Sequence, residues 1–166
     1  MKKIIFALCF LLGITSCTKA QKTEFSPEAL TEIMQTQTGE DISFQEILKR
    51  HQGKTIVIDI WASWCPDCIK GMPKVEQLQE RFPEVVYVFL SYDKTPDTWA
   101  TGIEKYNVKG DHYLIRSNWK GGGFKDAVDI DWIPRYMVVD PTGKIALYRA
   151  IEADDEKLIE TLKNLN

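Results

Sequence analysis

Residues 55–68 read Thr-Ile-Val-Ile-Asp-Ile-Trp-Ala-Ser-Trp-Cys-Pro-Asp-Cys, and this stretch decides both the fold and the chemistry of the chain. Its first half is an apolar run broken only by Asp59, which is typical of a buried strand. Its second half places Cys65 and Cys68 directly after that strand, with two residues between them. A C-x-x-C pair between a strand and a helix is a common setting for thiol redox chemistry. The sequence therefore predicts a redox-active dithiol.

The spacing also predicts different roles for the two thiols. A helix that begins at Cys65 holds Cys68 one turn further along, within reach of a disulfide. The free N–H groups and the positive dipole end of a helix N-terminus stabilise a thiolate. Pro66 suits the first helical position, which needs no N–H donor. We therefore expect Cys65 to be the exposed nucleophile and Cys68 the buried resolving thiol.

A zinc site competes with the redox interpretation, because C-x-x-C is also half of a zinc ribbon. A ribbon needs a second Cys pair, and the sequence after the predicted signal peptide has none. The two histidines, His51 and His112, lie far apart without ligand spacing. The sequence therefore predicts no metal site and no cofactor. A redox-inert binding or assembly protein with a purely structural Cys65–Cys68 disulfide stays open as an alternative. A thiol peroxidase is disfavoured, since the Pro-x-x-x-Thr-x-x-Cys motif of peroxiredoxins is missing.

The N-terminus has the pattern of a bacterial lipoprotein signal. Lys2 and Lys3 precede an apolar run, residues 4–12, that is too short to span a bilayer. The run leads into Ile14-Thr15-Ser16-Cys17, which resembles a lipobox. Lipid on Cys17 would hold the protein to the bacterial cell envelope with its domain in the periplasm, and an ordinary secreted protein is the alternative. The predicted division is a lipoprotein signal peptide at 1–16, a lipidated tether at 17–24 and one domain at 25–166.

Composition narrows the class of protein further. The chain has 166 residues, with 24 acidic against 21 basic side chains. Removal of the signal peptide would leave a net charge of about −5, so nucleic acid is not an expected partner. About 150 residues suffice for one domain with a single core.

Alternating hydrophobic patterns predict an α/β protein with a central sheet flanked by helices. A helix between two buried strands makes those strands parallel, and a later pair joined by a Pro-Thr-Gly turn forms a hairpin. Gly121-Gly122-Gly123 is interpreted as a mobile loop. The predicted helices cover Ser26 to about Met34, Ser43 to about Arg50, Cys65 to about Phe82, Thr95 to near Asn107 and Asp154 onward, and the predicted strands cover 55–61, 85–90, 112–115, 136–140 and 144–149.

Several short motifs are weak evidence for a family when taken one at a time, but their combination and order along the chain are specific. They are Asp59 six residues before Cys65, the lead-in Trp61–Trp64, Pro73 five residues after Cys68, and Ile133–Pro134 before a strand and the turn Asp140–Lys144. In this order, over roughly residues 39–166, they resemble the thioredoxin superfamily. The insertion between the second strand and Ile133 resembles its membrane-anchored, periplasm-facing TlpA/ResA-like branch.

The resemblance implies a thioredoxin-like fold, in which a mixed sheet flanked by helices carries an N-terminal extension and a central insertion. It implies exchange with protein thiols and disulfides of the periplasm, and an unidentified electron-donor protein. It also implies a cis peptide bond at Ile133–Pro134, opposite Cys65, with the Ile133 backbone free to pair with a substrate strand. Asp59 would be a buried acid that exchanges a proton with Cys68. Trp132 is interpreted, from its position alone, as a core or rim aromatic that precedes Ile133 and so borders the substrate groove. The residues expected beside the substrate are Trp64, Pro66, Asp67, Ile133 and Pro134.

Three residues depart from the family pattern. Gly71 stands where TlpA/ResA-like proteins often have a glutamate, and Phe89 stands where thioredoxin has a lysine. Asp67 places a negative charge beside Cys65, which opposes its thiolate while the helix terminus favours it. Because a less stable thiolate favours the disulfide, we expect a reduction potential toward the reducing end of the family.

Overall fold

The computed structural model describes residues 21–166. This part of the chain contains seven strands and six helices. The strands are β1 (Ile33–Thr36), β2 (Asp41–Ser43), β3 (Ile56–Trp61), β4 (Val86–Ser91), β5 (Asp111–Ile115), β6 (Arg135–Val139) and β7 (Ile145–Ala150). The helices are α1 (Pro27–Thr31), α2 (Phe44–Arg50), α3 (Pro66–Arg81), α4 (Pro96–Lys105), α5 (Gly123–Ala127) and α6 (Glu156–Leu165).

All seven strands form one mixed sheet in the order β2-β1-β5-β4-β3-β6-β7. β3, β4 and β5 are parallel, because α3 and α4 cross between them. β6 runs antiparallel to β3 and forms a hairpin with β7, while β1 and β2 form an antiparallel hairpin beside β5. The predicted thioredoxin-like architecture is confirmed. The carboxyl ends of β3, β4 and β5 meet at one edge of the sheet, and Cys65 follows β3 there.

Helices cover the sheet through specific contacts. β3 and β6 are buried along their whole length, as predominantly apolar runs predict, and the burial includes Asp59 on β3 and Arg135 on β6. The Tyr87 hydroxyl on β4 donates to the Leu78 carbonyl of α3 at 3.0 Å, which fixes α3 on one face. Phe44 of α2 packs edge-to-face against Phe25 and against Phe124 of α5, each with ring centroids 4.9 Å apart. These aromatic contacts join the N-terminal segment to the central insertion.

The N-terminal segment differs from its prediction. The first helix, expected to reach about Met34, ends at Thr31, and Ile33–Thr36 forms β1 instead. Met34 is fully buried and pairs across the sheet with Ile42 and Ile115. Tertiary pairing therefore overrides the local helical pattern, and it also creates β2, which the sequence did not predict.

The glycine run is also more ordered than a mobile loop. Gly122 is the N-cap of α5, and Gly123 is its first residue. All three glycines of Gly121–Gly123 have positive φ, a conformation that other residues rarely adopt. The turn places Phe124, which is fully buried, against Phe44. Burial of one aromatic side chain thus organises a segment whose sequence suggests flexibility.

The other predicted elements occur within two residues of their expected ends. The predicted signal peptide and the lipidated Cys17 lie outside the described residues. Among residues 21–166, no helix combines the length and apolar character needed to cross a bilayer. In the same part of the chain, no three or more His, Cys, Asp or Glu side chains are grouped to hold a metal ion.

Candidate active site

A disulfide joins the two cysteines at the start of α3. Cys65 is the N-cap of this helix, and Pro66 occupies its first turn. The two Cα atoms are 5.3 Å apart, and the Cys68 backbone N–H donates to the Cys65 Sγ at 3.1 Å. After reduction the same N–H would stabilise a Cys65 thiolate, because N-terminal helix amides favour negative charge.

The disulfide is less accessible than the sequence predicts. The exposed fraction is 4% for Cys65 and 1% for Cys68, so the prediction of an exposed Cys65 is wrong for the oxidised form. The physical reason is enclosure: the Cys65 Sγ is bonded to Cys68 on one side and lies 3.6 Å from the Ile133 carbonyl oxygen on another. Cys65 is still the more accessible of the two thiols, which is the order that the proposed roles require.

The loop before β6 lies opposite the disulfide. Its Ile133–Pro134 peptide bond is cis, as the resemblance implies. Within the described residues, neither the N–H nor the C=O of Ile133 has a backbone hydrogen-bond partner. The buried Arg135 donates through Nη2 to the Asp131 carboxylate at 2.5 Å, and this bond holds the pKa of Asp131 below its ordinary value. The ion pair anchors the loop beside the sulfurs.

A second loop, after β4, fixes the segment that precedes Cys65. The buried Asp93 carboxylate accepts hydrogen bonds from the Ser63 N–H at 3.1 Å, the Ser63 hydroxyl at 2.6 Å and the Ser91 hydroxyl at 2.8 Å. The Trp64 indole N–H donates to the Tyr92 carbonyl at 3.1 Å. Sequence reasoning missed Asp93. The available signal was the polar Ser91-Tyr92-Asp93 directly after a buried strand.

Asp59 belongs to a row of four buried side chains that crosses the sheet. Its register partners are Tyr136 on β6 and Phe89 on β4, and Phe89 in turn pairs with His112 on β5. Register partners point to the same face of a sheet. The Phe89 ring stacks on the His112 ring at 5.1 Å. An aromatic hydrocarbon therefore lies beside Asp59 on β4, where a lysine would have supplied a positive charge.

Burial dominates the electrostatics of Asp59. Among the described residues, neither carboxylate oxygen has a hydrogen-bond partner of full geometry. Burial raises the pKa of Asp59 to about 8 and outweighs the Tyr136 hydroxyl, which acts in the opposite direction. Burial also raises the pKa of Tyr136 and lowers that of His112. Asp59 is therefore mainly protonated at neutral pH and titrates in the range where thiols titrate.

The Tyr136 hydroxyl connects the Asp59 region to a cavity beside the disulfide. A β-carbon at Gly71 would lie 3.7 Å from this hydroxyl, so Tyr136 reaches the underside of α3 one turn after Cys68. Sequence reasoning missed Tyr136, because its position beside Asp59 depends on the β3–β6 register. The proline-side cavity, of about 240 Å³, is lined by Asp67, Gly71, Lys74, Trp132, Pro134 and Tyr136, among others.

Exposed apolar side chains concentrate around the dithiol. Trp64, directly before Cys65, is 44% exposed. Trp132 and Ile151, which both line the proline-side cavity, are 61% and 56% exposed. The structure thus brings Trp64, Pro66, Asp67, Ile133 and Pro134 together around Cys65, with Trp132 at the border, and their contact with a substrate stays a prediction.

Comparisons with known proteins agree with this site. The thioredoxin-like family model matches residues 53–145, more than half of the chain. The thiol-disulfide oxidoreductase ResA of Bacillus thuringiensis is 27% identical, over 98% of this chain and 92% of its own. A Bacteroides vulgatus protein known from its solution structure is 30% identical with a TM-score of 0.68, over 84% of this chain and 89% of its own.

A thiol-disulfide oxidoreductase from Bacteroides fragilis has the same fold at 23% identity, with a TM-score of 0.67 over 81% of this chain and 96% of its own. The family match covers the C-x-x-C pair, Asp59 and the cis-proline. The relatives and the Cys65–Cys68 disulfide point to the same chemistry. This chain belongs to the thioredoxin-like family of thiol-disulfide oxidoreductases.

Proposed function

We propose that this protein reduces disulfides of protein substrates on the periplasmic side of a bacterial membrane, to which lipid on Cys17 holds it. The observation that carries the proposal is the position of Cys65 at the N-terminus of α3, where the Cys68 N–H bonds its sulfur. This position favours a thiolate on Cys65, and the deeper Cys68 is suited to resolve the reaction. The lipobox-like sequence before Cys17 supports the anchor and the location.

The reaction starts from the reduced dithiol. The Cys65 thiolate attacks one sulfur of the substrate disulfide, which forms a mixed disulfide and releases the other substrate sulfur as a thiolate. Cys68 then loses its proton and attacks the Cys65 Sγ. This step releases the second substrate sulfur and closes the Cys65–Cys68 disulfide. Two electrons pass from the enzyme to the substrate, and each substrate thiolate takes up a proton.

Asp59 is the group that accepts the Cys68 proton in this proposal. Its pKa of about 8 lies close to the ordinary thiol value of about 8.5, so proton transfer between the two groups is nearly balanced. Tyr136 and the proline-side cavity give the Asp59 region a connection to solvent. His112, the other titratable group in the row, is separated from Asp59 by the Phe89 ring.

The surface around the dithiol fits an extended protein segment. The Ile133 N–H and C=O can pair with a substrate strand, and the Ile133 carbonyl lies 3.6 Å from the Cys65 Sγ. Trp64 and Trp132 offer apolar surface next to this edge. A substrate disulfide bound there would lie beside the nucleophile.

Each turnover leaves Cys65 and Cys68 oxidised, so the proposal requires an electron donor with a reduced dithiol. The donor would attack the Cys65–Cys68 disulfide by the same exchange in reverse. In the competing hypothesis, a redox-inert binding or assembly lipoprotein, the disulfide is structural and no such donor exists.

Two matched variants test the catalytic roles. Cys68→Ser should stop the reaction at the mixed disulfide and accumulate reductant-sensitive adducts with periplasmic proteins. Cys65→Ser should form almost none, because Cys68 lies inside α3 rather than at its N-cap and is the more buried of the two sulfurs. Non-reducing gels and mass spectrometry would show the adducts and identify the substrates. Equal adduct levels from both variants, or none from either folded variant, would contradict the roles and favour the structural-disulfide hypothesis.

A third variant tests the anchor. Cys17→Ser should release the protein from membranes without changing its dithiol chemistry, since the anchor and the active site lie on separate segments. Fractionation of cells that express this variant gives the answer. A Cys17→Ser protein that has lost residues 1–16 and still sediments with membranes would contradict lipidation at Cys17.

A further inference from the structure

A second cavity opens at the carboxyl ends of the three parallel strands. Trp61 ends β3, Ser91 ends β4 and Ile115 ends β5, and the loops that follow these residues surround one crevice. In α/β sheets, the crevice outside the carboxyl ends of the strands is a preferred place for ligands. This tryptophan-side cavity has a volume of about 930 Å³ and begins at Ser63 and Trp64, directly before Cys65.

The walls of the tryptophan-side cavity include a fixed aromatic cluster. The Trp119 ring packs at a steep angle against Trp64, with centroids 6.1 Å apart, and against Tyr92, with centroids 5.0 Å apart. The hydrogen bond from the Trp64 indole to the Tyr92 carbonyl holds the cluster in one orientation. A preformed apolar surface binds a partner with little loss of side-chain entropy. The cluster therefore extends the contact area for a substrate beyond the sulfurs.

The rim of the same cavity is basic. Lys94, Arg116 and Lys120 line it together with one acidic residue, Asp93. Asp93 is buried and accepts hydrogen bonds from two serines, and its single negative charge leaves the three basic side chains of the lining in excess. Arg116 pairs with Asp41 at 2.7 Å.

Lys94 and Lys120 are exposed, and Lys125 adds a further cation 5.4 Å from the centre of the Trp119 ring. The chain as a whole carries a net charge of −3, so this rim is a local exception. A basic rim around an apolar surface complements an acidic partner.

We propose that the tryptophan-side cavity binds an acidic, extended segment of the protein whose disulfide is exchanged at Cys65. Carboxylates of that segment meet Lys94 and Lys120, while its apolar side chains pack on Trp64 and Trp119. This inference rests on the proposed function, because the bound segment belongs to the substrate. It adds a preference that the dithiol itself does not have, namely faster reduction of disulfides flanked by acidic residues.

Two synthetic peptides test the preference. They share one cysteine, held as a mixed disulfide with 2-nitro-5-thiobenzoate, and one apolar framework, but Glu flanks the cysteine in one and Lys in the other. Closure of the Cys65–Cys68 disulfide releases both the peptide thiol and the coloured thiobenzoate. Rate constants for each protein variant are divided by its rate constant for hydroxyethyl disulfide, which is small and uncharged. The same peptides react with dithiothreitol to give the intrinsic chemical ratio.

The reduced wild-type protein should favour the acidic peptide by about tenfold over the dithiothreitol ratio at low ionic strength. The double variant Lys94→Ser, Lys120→Ser should bring this preference close to one, as should added salt. The matched control Lys144→Ser, Lys163→Ser removes the same charge from the turn after β6 and the last turn of α6 and should keep the preference.

Three results would overturn the inference. If the protein prefers the acidic peptide no more than dithiothreitol does, the inference fails and the proposed function stands. The same holds if the Lys94→Ser, Lys120→Ser variant keeps the preference. A dimer in sedimentation experiments that this variant dissociates would also overturn the inference, because a second copy of the chain would then occupy the cavity. Failure of the folded, reduced protein to reduce either peptide or hydroxyethyl disulfide would overturn the proposed function together with the inference.

Discussion

The two cavities beside the Cys65–Cys68 disulfide differ in size and in charge. The proline-side cavity measures about 240 Å³, and its Lys74 forms ion pairs with Glu152 and Asp154. The tryptophan-side cavity measures about 930 Å³, and its lining holds Lys94, Arg116 and Lys120 against one acidic side chain, Asp93. One cavity is small and neutralised, and the other is large and basic.

The difference in size and charge suits the two cavities to different roles, one in proton transfer and the other in substrate binding. The proline-side cavity is lined by Tyr136, the cross-strand neighbour of Asp59, and so leads toward the buried side chain that we propose as the proton acceptor. The tryptophan-side cavity offers aromatic surface and positive charge, and so suits selection of the substrate. Changes on the proline side should therefore alter pH dependence, while changes on the tryptophan side should alter substrate preference.

The largest effect is expected from Asp59→Asn. Removal of the proton acceptor should slow resolution of the mixed disulfide at neutral pH by about a hundredfold. In the wild type the rate should rise as Asp59 ionises through pH 8, and this inflection should be lost in the variant. Stopped-flow measurement of resolution across pH gives the profile. The exposed Asp97→Asn is the matched control, and an unchanged profile in Asp59→Asn would demote Asp59 to a structural residue.

Asp59→Asn should also change the pH dependence of stability. The folded protein keeps the Asp59 proton up to about pH 8, whereas the unfolded chain loses it near the ordinary value of 3.8. Wild-type stability should therefore fall as pH rises through this window, by up to about 1.4 kcal/mol per pH unit. The asparagine carries no such proton. In urea unfolding of the oxidised proteins, the stability of Asp59→Asn relative to the wild type should increase as pH rises. If the free energies of unfolding of the two proteins change with pH in parallel, the pKa of Asp59 is not raised.

In the loop that bounds the proline-side cavity, Asp131 pairs with Arg135 and, at 3.6 Å, with Arg149. Asp131→Ala would leave the buried Arg135 without its carboxylate, and among the described residues the Arg135 Nε and Nη1 already lack partners. We expect the free energy of unfolding to drop by about 1–3 kcal/mol. Asp131→Asn keeps an acceptor oxygen and should cost less. Equal stability of both variants and the wild type would show that the ion pair does not anchor the loop.

The smallest effect is expected from Tyr136→Phe. The hydroxyl lowers the pKa of Asp59 and is outweighed by burial, so its removal should move the inflection of the pH–rate profile upward. The rate at neutral pH should change by no more than about threefold. Tyr148→Phe on β7 serves as the control, because it removes a buried hydroxyl that donates to the carbonyl of Val128 at the end of α5. If the inflection moves upward by the same amount in both variants, the Tyr136 hydroxyl has no specific effect on the pKa of Asp59.

Local sequence was enough to predict the parts of the site that lie on one segment. The strand, Asp59, the two cysteines and Pro66 follow one another between residues 56 and 68, and their spacing defines their geometry. The cis-proline was predicted from the family resemblance. Burial of the Cys65 sulfur was not, because it results from the Ile133 carbonyl on a distant loop.

Residues that meet only through strand register were missed. Tyr136 reaches Asp59 because β6 pairs with β3 in one alignment, and Asp93 reaches Ser63 because β4 runs parallel to β3. The same holds for β1, where pairing of Met34 with Ile115 decided against a helix. Contacts between segments far apart in sequence thus determine the details that local periodicity leaves open.

The reduction potential of the Cys65–Cys68 pair decides whether the pair reduces or oxidises its substrates. The protein is equilibrated with dithiothreitol redox buffers, and the reduced fraction is measured by alkylation and mass spectrometry. Asp67 is exposed at the start of α3 and opposes the Cys65 thiolate, which favours the disulfide. We expect a value near that of thioredoxin, about −270 mV. A value near that of the oxidant DsbA, about −120 mV, would contradict it and reverse the working direction.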